Sequence, residues 1–321
     1  MVVSAITATH FTDPACPWAY SARPAHARLR WRFGDQIEWR LRLIGLSETG
    51  EAYEQRGYTR ERALATQHRF SDRFGMPFSF ERKPRMAGTA RACRAIVAAR
   101  DLDPALGEAA LRALQLLQFT TARVLDDDDD LRAVLATVPG LDADAVVVAI
   151  DDPRVVELYE ADRAAARSAE GAPIHAQDRH STSDGPVRYT APSVIFEHED
   201  GGRFEVGGFQ PFEAYDTGLA NLDPGLERRP APETLLDALA EFPEGLTTAE
   251  AASVMRASDL VDADPAATEA ALDELEAAGS VLRVPAGRDA IWRTAGTEGM
   301  GSDAAVPPES AAIRPKVEAP H

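Results

Sequence analysis

The N-terminal part of the chain places a helical pattern between two strand patterns. Residues 2–9 are apolar and rich in β-formers, which indicates a buried first strand, and residues 11–15 are interpreted as a turn. A helical stretch runs from Pro17 to about Phe33, since proline is well tolerated in a first helical turn. Residues 37–43 alternate apolar and polar positions and predict a second strand. This β-α-β order implies two parallel strands joined by a right-handed crossover.

The middle of the chain changes to a helical period and then returns to strands. Over about residues 47–170, apolar residues recur at spacings of three and four, which predicts several consecutive helices. Strand patterns follow at 191–196 and 203–206, separated by a hairpin turn signal, and a final helix is expected over 209–222. The whole order predicts the α/β class, with a thioredoxin fold interrupted by a helical insertion at 47–170.

The C-terminal part of the sequence reads as a second, smaller unit. A proline-rich stretch at 221–232 is interpreted as a linker that ends a first domain over residues 1–225. Residues 233–296 show three helical patterns and a short β-hairpin, which resembles a winged-helix-like α+β domain. Residues 297–321 are rich in Pro, Ala and Glu and are expected to be a disordered tail.

Composition adds a strong acidic character to this picture. The 321 residues include 52 acidic and 34 basic ones, a formal net charge of −18. Lys83 and Lys316 are the only lysines, so arginine supplies nearly all positive charge. An acidic, lysine-poor surface resembles the halophilic, acidic proteome of salt-loving archaea, where counter-ions screen the repulsion. A GC-rich genome is the alternative explanation for the arginine bias.

The sequence favours a cytoplasmic location. The N-terminus has no basic segment followed by an apolar one, so no signal peptide is predicted. No stretch reaches the roughly 20 apolar residues of a membrane helix, so no membrane partner is expected. Cys16 and Cys93 are the only cysteines, which fits a reducing compartment.

Four segments, in order, resemble a known family. Residues 13–20, Asp-Pro-Ala-Cys-Pro-Trp-Ala-Tyr, are similar to the active-site turn of the DsbA family, whose motif is roughly D-P-x-C-P-W-C. Residues 86–99, 189–193 and 207–211 resemble its insertion helix, its cis-proline segment and the turn into its last helix. The nearest likeness is to the cytoplasmic branch, which includes the FrnE-like and Spx-adaptor proteins.

The resemblance implies which residues carry the chemistry. Cys16 is expected to be the nucleophile, because helix N–H groups and the helix dipole lower the pKa of a cysteine at a helix N-terminus. The resemblance also implies a catalytic cis-proline at Pro192, in contact with Cys16. Substrate-binding roles are expected for Pro17, Trp18, Ala19 and Ala191.

The chain departs from the family at the second cysteine, which is Ala19 here. Without a partner three residues on, a mixed disulfide at Cys16 needs another thiol to release it. Three routes remain open: an external small thiol, a bound low-molecular-weight thiol as co-substrate, or Cys93 if the insertion folds over the site. Cys93 also reads as a small buried residue. No cofactor and no metal are predicted.

Three functions from different classes follow. The first is an intracellular thiol-disulfide oxidoreductase or isomerase that acts on protein or small-molecule disulfides through Cys16. The second is a redox-inactive thioredoxin-like adaptor or binding protein. The third is a redox-sensing regulator acting through residues 233–296. Between residues 233 and 293, 13 acidic residues face four arginines, a net of 4 − 13 = −9, so DNA binding is unlikely and a protein partner is favoured.

Overall fold

The computed structural model of the protein describes residues 5–296. Its strands form one central sheet and two smaller sheets. The strands are Ile6–Thr12 (β1), Ile37–Leu43 (β2), His180–Ser181 (β3), Arg188–Tyr189 (β4), Ser193–His198 (β5), Arg203–Gly207 (β6), Leu246–Thr247 (β7), Val281–Ala286 (β8) and Asp289–Thr294 (β9).

The α-helices are concentrated between the two halves of the central sheet. They are Pro17–Ser21 (α1), Arg23–Phe33 (α2), Gly50–Gln55 (α3), Arg60–Phe74 (α4), Ala90–Leu102 (α5), Pro104–Thr120 (α6), Asp128–Leu135 (α7), Ala143–Ala149 (α8), Pro153–Ala166 (α9), Pro173–Ala176 (α10), Phe212–Leu222 (α11), Leu235–Glu241 (α12), Thr248–Val254 (α13) and Pro265–Ala277 (α14). The predicted helical block at 47–170 is present, as α3 to α9.

The central sheet has the strand order β2-β1-β5-β6. β1 runs parallel to β2, with Ile6 opposite Ile37, and antiparallel to β5, which pairs antiparallel with β6. This is the thioredoxin arrangement, and it confirms the predicted α/β class with a helical insertion. β1 extends through Phe11 and Thr12, so the prediction of a turn over these two residues was wrong; β1 stays paired with β2 up to Thr12.

The helix after β1 is broken, whereas the sequence predicted one continuous helix to Phe33. α1 ends at Ser21 and α2 begins at Arg23, with Ala22 between them. Pro24 lies in the first turn of α2 and has no backbone N–H, so it cannot continue the hydrogen-bond ladder of α1. The break makes α1 a separate five-residue helix that directly follows Cys16.

The C-terminal elements form a compact group against α2. Helices α12 to α14 pack with a three-stranded sheet in the order β7-β9-β8. Ala27 and Trp31 of α2 belong to the same hydrophobic cluster as Leu239 and Trp292. Burial of this shared apolar surface stabilises the contact. The domain boundaries and the winged-helix likeness stay predictions, and the predicted tail at 297–321 lies outside the described residues.

A buried ion pair also joins the C-terminal elements to the rest of the chain. Glu250 of α13 accepts hydrogen bonds from Arg112 of α6 at 2.8 and 3.0 Å, and from Arg23 of α2 at 2.9 Å. The Glu250 side chain is 1% exposed and that of Arg112 is 6% exposed. The two guanidinium groups hold the pKa of Glu250 well below its usual range despite burial. A carboxylate in this position needs both of its partners, because an unpaired buried charge is costly.

Candidate active site at Cys16

The turn between β1 and α1 fixes the position of Cys16. Asp13 is fully buried, and its carboxylate accepts a hydrogen bond from the N–H of Ala15 at 2.9 Å. The N–H of Cys16 donates to the carbonyl of Asp13 at 3.1 Å. Cys16 then serves as the N-cap of α1, with extended backbone, and Pro17 occupies the first turn. The sulfur therefore starts from a fixed backbone at the end of a central strand.

The segment before β5 brings a second backbone group to this sulfur. The Ala191–Pro192 peptide bond is cis, as the sequence prediction required. The Cys16 thiol donates a hydrogen bond to the Ala191 carbonyl oxygen, with Sγ and O 3.0 Å apart. Residues 175 positions apart in sequence thus meet at one point, because Cys16 follows β1 and Ala191 precedes β5, and these two strands are adjacent in the central sheet. The predicted contact between Cys16 and the proline-bearing segment is present.

The pKa of the Cys16 thiol is shifted in the direction opposite to the one predicted. Cys16 is only 6% exposed, and burial raises the pKa of its thiol to about 12. The N–H groups of Ala19 and Trp18 lower this pKa, as expected at a helix N-terminus, but by less than burial raises it. The negative charge of nearby Asp13 raises it further. The expectation of a lowered pKa was wrong, because burial outweighs the stabilisation of the thiolate by the backbone N–H groups.

A cleft of about 720 Å³ opens beside the sulfur. Cys16, Pro17, Trp18 and Ala191 line it, whereas Ala19 and Pro192 are not among its lining residues. Further lining residues come from α3 and its C-terminal end, from α4, from the stretch between α4 and α5, and from the segment around β4.

Trp18 lies at the rim of the cleft and also packs against the helical insertion. It is 42% exposed and lines the cleft. Its ring also contacts Phe70 and Phe74 of α4, with centroids 4.7 and 5.8 Å apart, and Phe209 at 5.8 Å. Trp18 therefore forms part of the cleft rim and ties the insertion to the region around Cys16.

Ala19 does not occupy the position expected of a substrate-contacting residue. It is 2% exposed and packs in the same hydrophobic cluster as Cys16. Its side chain points into the core because the buried face of the short helix α1 comprises Ala19, Tyr20 and Ser21. What Ala19 offers the site is its backbone N–H, directed at the Cys16 sulfur.

Asp13 links the two cysteines. Its Oδ2 accepts hydrogen bonds from the N–H of Leu46 at 2.9 Å and from the Thr89 hydroxyl at 3.1 Å. The Cys93 thiol donates to the same oxygen at 3.6 Å. Cys93 is fully buried in α5, and burial raises its pKa well above the usual range. Both cysteines are free, and Cys93 is held toward Asp13 as a buried thiol.

Sequence reasoning missed three residues around Cys16. Asp13 was seen only as part of a turn, although it belongs to the D-P-x-C motif. Arg188 is buried, and its charge lowers the pKa of the Cys16 thiol. Tyr53 lines the cleft, and burial raises the pKa of its hydroxyl, with further contributions from Asp13 and Cys16. No sequence signal marks Tyr53 or Arg188, because the fold alone brings them to the site.

Two further findings concern the described residues as a whole. Between residues 5 and 296, no cluster of three or more His, Cys, Asp or Glu side chains has the arrangement that a metal ion needs. In the same part of the chain, no helix combines the length and apolar character required to cross a membrane.

A thioredoxin fold with a cysteine facing a cis-proline segment defines a class of thiol proteins. Comparison with models of known protein families assigns the chain to the same class. Residues 7–189 match the family model of the DSBA-like thioredoxin domain, so the chain belongs to that family. A solved structure of a candidate protein disulfide isomerase from Nitrosomonas europaea is 16% identical, with a TM-score of 0.50, covering 67% of this chain and 96% of its own.

A second solved structure, the cytosolic disulfide reductase DsbM from Pseudomonas aeruginosa, is also similar to this chain. It is 20% identical, with a TM-score of 0.47, and the match covers 68% of this chain and all of DsbM. No curated protein matches the sequence.

Proposed function

We propose that this protein is a thiol-disulfide oxidoreductase that uses Cys16 as its single nucleophile. The observation that carries the proposal is the 3.0 Å hydrogen bond between the Cys16 thiol and the Ala191 carbonyl, at the wall of an open cleft. A substrate disulfide lying in the cleft can reach the sulfur beside the backbone of Ala191. Membership of the DSBA-like family supports the same reaction class.

The reaction is a pair of exchange steps. The Cys16 thiolate attacks one sulfur of the substrate disulfide, a new S–S bond forms, and the other substrate sulfur leaves as a thiolate. A low-molecular-weight thiol, as its thiolate, then attacks the substrate sulfur of the mixed disulfide and releases Cys16. The N–H groups of Trp18 and Ala19 and the charge of Arg188 stabilise the thiolate in both steps. An external thiol is invoked because position 19 is alanine and Cys93 is buried.

A second candidate, a redox-inactive binding protein, is supported by a different observation. Burial raises the pKa of the Cys16 thiol to about 12, so the protonated form dominates at neutral pH. In this function the cleft would bind its partner without any exchange of disulfides. We likewise propose an FrnE-like or Spx-adaptor-like assignment, a cytoplasmic location and a regulatory role of residues 233–296.

Trapping experiments separate the two candidates. The protein is incubated with a protein disulfide, and adducts are detected by mass spectrometry before and after addition of a small thiol. We expect wild type and Cys93→Ser to form an adduct at Cys16 that the thiol releases, and Cys16→Ser to form none. Cys93→Ser is the matched control because it removes the other cysteine. Equal reactivity of wild type and Cys16→Ser would leave only the binding function.

The pH dependence of Cys16 reactivity is a further prediction. Only the thiolate reacts, and a pKa near 12 means that its fraction rises about tenfold per pH unit from pH 7 to pH 10. The rate of Cys16 alkylation by iodoacetamide, followed by mass spectrometry in Cys93→Ser, should rise accordingly without levelling off. A plateau that begins near pH 7 would contradict the burial effect described here.

A further inference from the structure

The cleft beside Cys16 is strongly basic, although the chain as a whole carries a net charge of −18. Six arginines and Lys83, whose pKa burial lowers to about 7, line it against one carboxylate, that of Glu81. Arg85 and Arg188 form salt bridges with aspartates. The remaining five are Arg56, Arg60, Arg62, Arg69 and Lys83.

None of these five side chains forms a salt bridge within residues 5–296, although the charge of Asp130 acts on Lys83. Their hydrogen bonds go to neutral oxygens: Arg60 donates to the carbonyl of Pro84 at 2.7 Å, and Arg62 to that of Gly57 at 3.1 Å. Such contacts orient a guanidinium group without neutralising its charge. Each guanidinium keeps further N–H donors with which it can bind a carboxylate.

The spacing of the arginines indicates the shape of the ligand. Arg62 and Arg69 are exposed and lie two turns apart on one face of α4, about 10 Å apart along the helix axis. An extended peptide covers that distance in about three residues, whereas a compact anion needs donors that converge on one point. Arg62 and Arg69 line the same cleft as Cys16, and Phe70, next to Arg69 in sequence, packs against Trp18 at the rim of that cleft.

We infer that the cleft selects disulfide substrates that have acidic residues near the reacting cysteine. The substrate segment lies in an extended conformation, and Arg62 and Arg69 bind its carboxylates. The inference rests on the proposed function in one respect: it takes the cleft as the place where substrate binds. It adds the substrate class, an acidic peptide segment, which fits a charge-rich binding surface.

Peptide binding tests this inference without any disulfide chemistry. Two fluorescent peptides carry a central serine in place of cysteine and differ only in having glutamate or glutamine at two positions, about three residues apart, that flank the serine. Fluorescence anisotropy should show tighter binding of the glutamate peptide, by about three- to tenfold for two exposed ion pairs. Arg62→Gln/Arg69→Gln should remove this preference, and added salt should weaken it.

The matched control is Arg73→Gln/Arg179→Gln, which removes the same charge. Both of these arginines are exposed, neither lines the cleft, and neither forms a salt bridge within the described residues. The control should keep the preference, and thermal unfolding of both double variants should confirm that they fold. Equal binding of the two peptides by wild type would overturn the inference, as would loss of the preference in the control.

Two further outcomes separate this inference from the proposed function. If oxidised glutathione binds more tightly than the glutamate peptide and displaces it, the cleft is a small-anion site and the peptide inference fails. If the glutamate peptide binds selectively but Cys16 never forms an adduct with a cysteine-containing version, acidic recognition stands and the oxidoreductase function fails. If an adduct forms at Cys16 but the two peptides bind equally well, the oxidoreductase function stands and the inference of acidic recognition fails.

Discussion

The cleft beside Cys16 and the contact around Glu250 use arginine in opposite ways. At Glu250, the buried guanidinium group of Arg112 and the partly exposed one of Arg23 bind a single buried carboxylate at 2.8 to 3.0 Å. In the cleft, Arg62 and Arg69 are exposed and have no carboxylate partner in the described part of the chain. Charge at Glu250 therefore holds segments of the protein together, whereas charge in the cleft remains available to a ligand.

The largest expected effect is on the buried pair. Glu250→Ala leaves the guanidinium groups of Arg112 and Arg23 without their carboxylate, so we expect unfolding to become easier by about 3–5 kcal/mol. Chemical denaturation measures this change. Glu274→Ala, at an exposed position of α14, is the control and should cost less than about 0.5 kcal/mol. Similar costs for the two variants would show that the ion pair at Glu250 does not stabilise the fold.

Acid should weaken the same pair. The pKa of Glu250 is lower in the folded protein than its ordinary value of 4.5, so its contribution is present above that value and is lost as pH falls below it. Between pH 5 and pH 3, the stability gap between wild type and Glu250→Gln should shrink by about 2 kcal/mol. Denaturation curves at both pH values test this. A constant gap would mean that Glu250 is not stabilised as a carboxylate.

A smaller effect is expected at the turn of the β8–β9 hairpin. Gly287 has a positive φ of 56°, and a Cβ there would lie 2.7 Å from the backbone of Phe78, whereas Gly279, with φ 73°, has open space around it. Both Gly287→Ala and Gly279→Ala impose the left-handed backbone on alanine. Gly287→Ala also has to move a backbone, so it should cost about 1–2 kcal/mol more by thermal unfolding. Equal costs would show that the hairpin is not packed against residue 78.

The smallest effect should be in the cleft. Arg62→Gln removes an exposed charge that forms no salt bridge in residues 5–296, so the free energy of unfolding should change by less than about 0.5 kcal/mol. Arg112→Gln, measured in parallel, should lower the free energy of unfolding more than Arg62→Gln does, because it breaks the buried pair. A large cost for Arg62→Gln would show that the cleft arginines also hold the fold together.

Most of the fold could be predicted from the sequence because its elements have clear periods. The alternation at 37–43 and the spacing of apolar residues across 47–170 correspond to β2 and to helices α3 to α9. The break at Ala22 was missed because the apolar pattern continues through it, although Pro24 marked the position. The contact of α13 with α2 was also missed, since pairing across more than 200 residues leaves no local pattern.

The site could be predicted only as far as its motif reached. The positions of Cys16 and Ala191, and the cis bond, followed from the D-P-x-C turn and the Ala-Pro segment. The pKa of Cys16 could not, because it depends on burial, which is a property of the folded chain. The basic cleft was hidden for a related reason: its arginines are dispersed along a sequence whose overall charge is negative.

The hairpin turn at Gly287 has a consequence for engineering this chain. Its neighbour Arg288 donates its backbone N–H to the carbonyl of Phe78 at 3.2 Å, and the stretch that begins there continues into the cleft wall at Lys83. A fragment truncated after α11 would lose that anchor and would uncover Trp31 to water. We therefore expect the N-terminal part to be a poor stand-alone cassette for fusion or grafting, and its ligand selectivity to change when the C-terminal elements are removed.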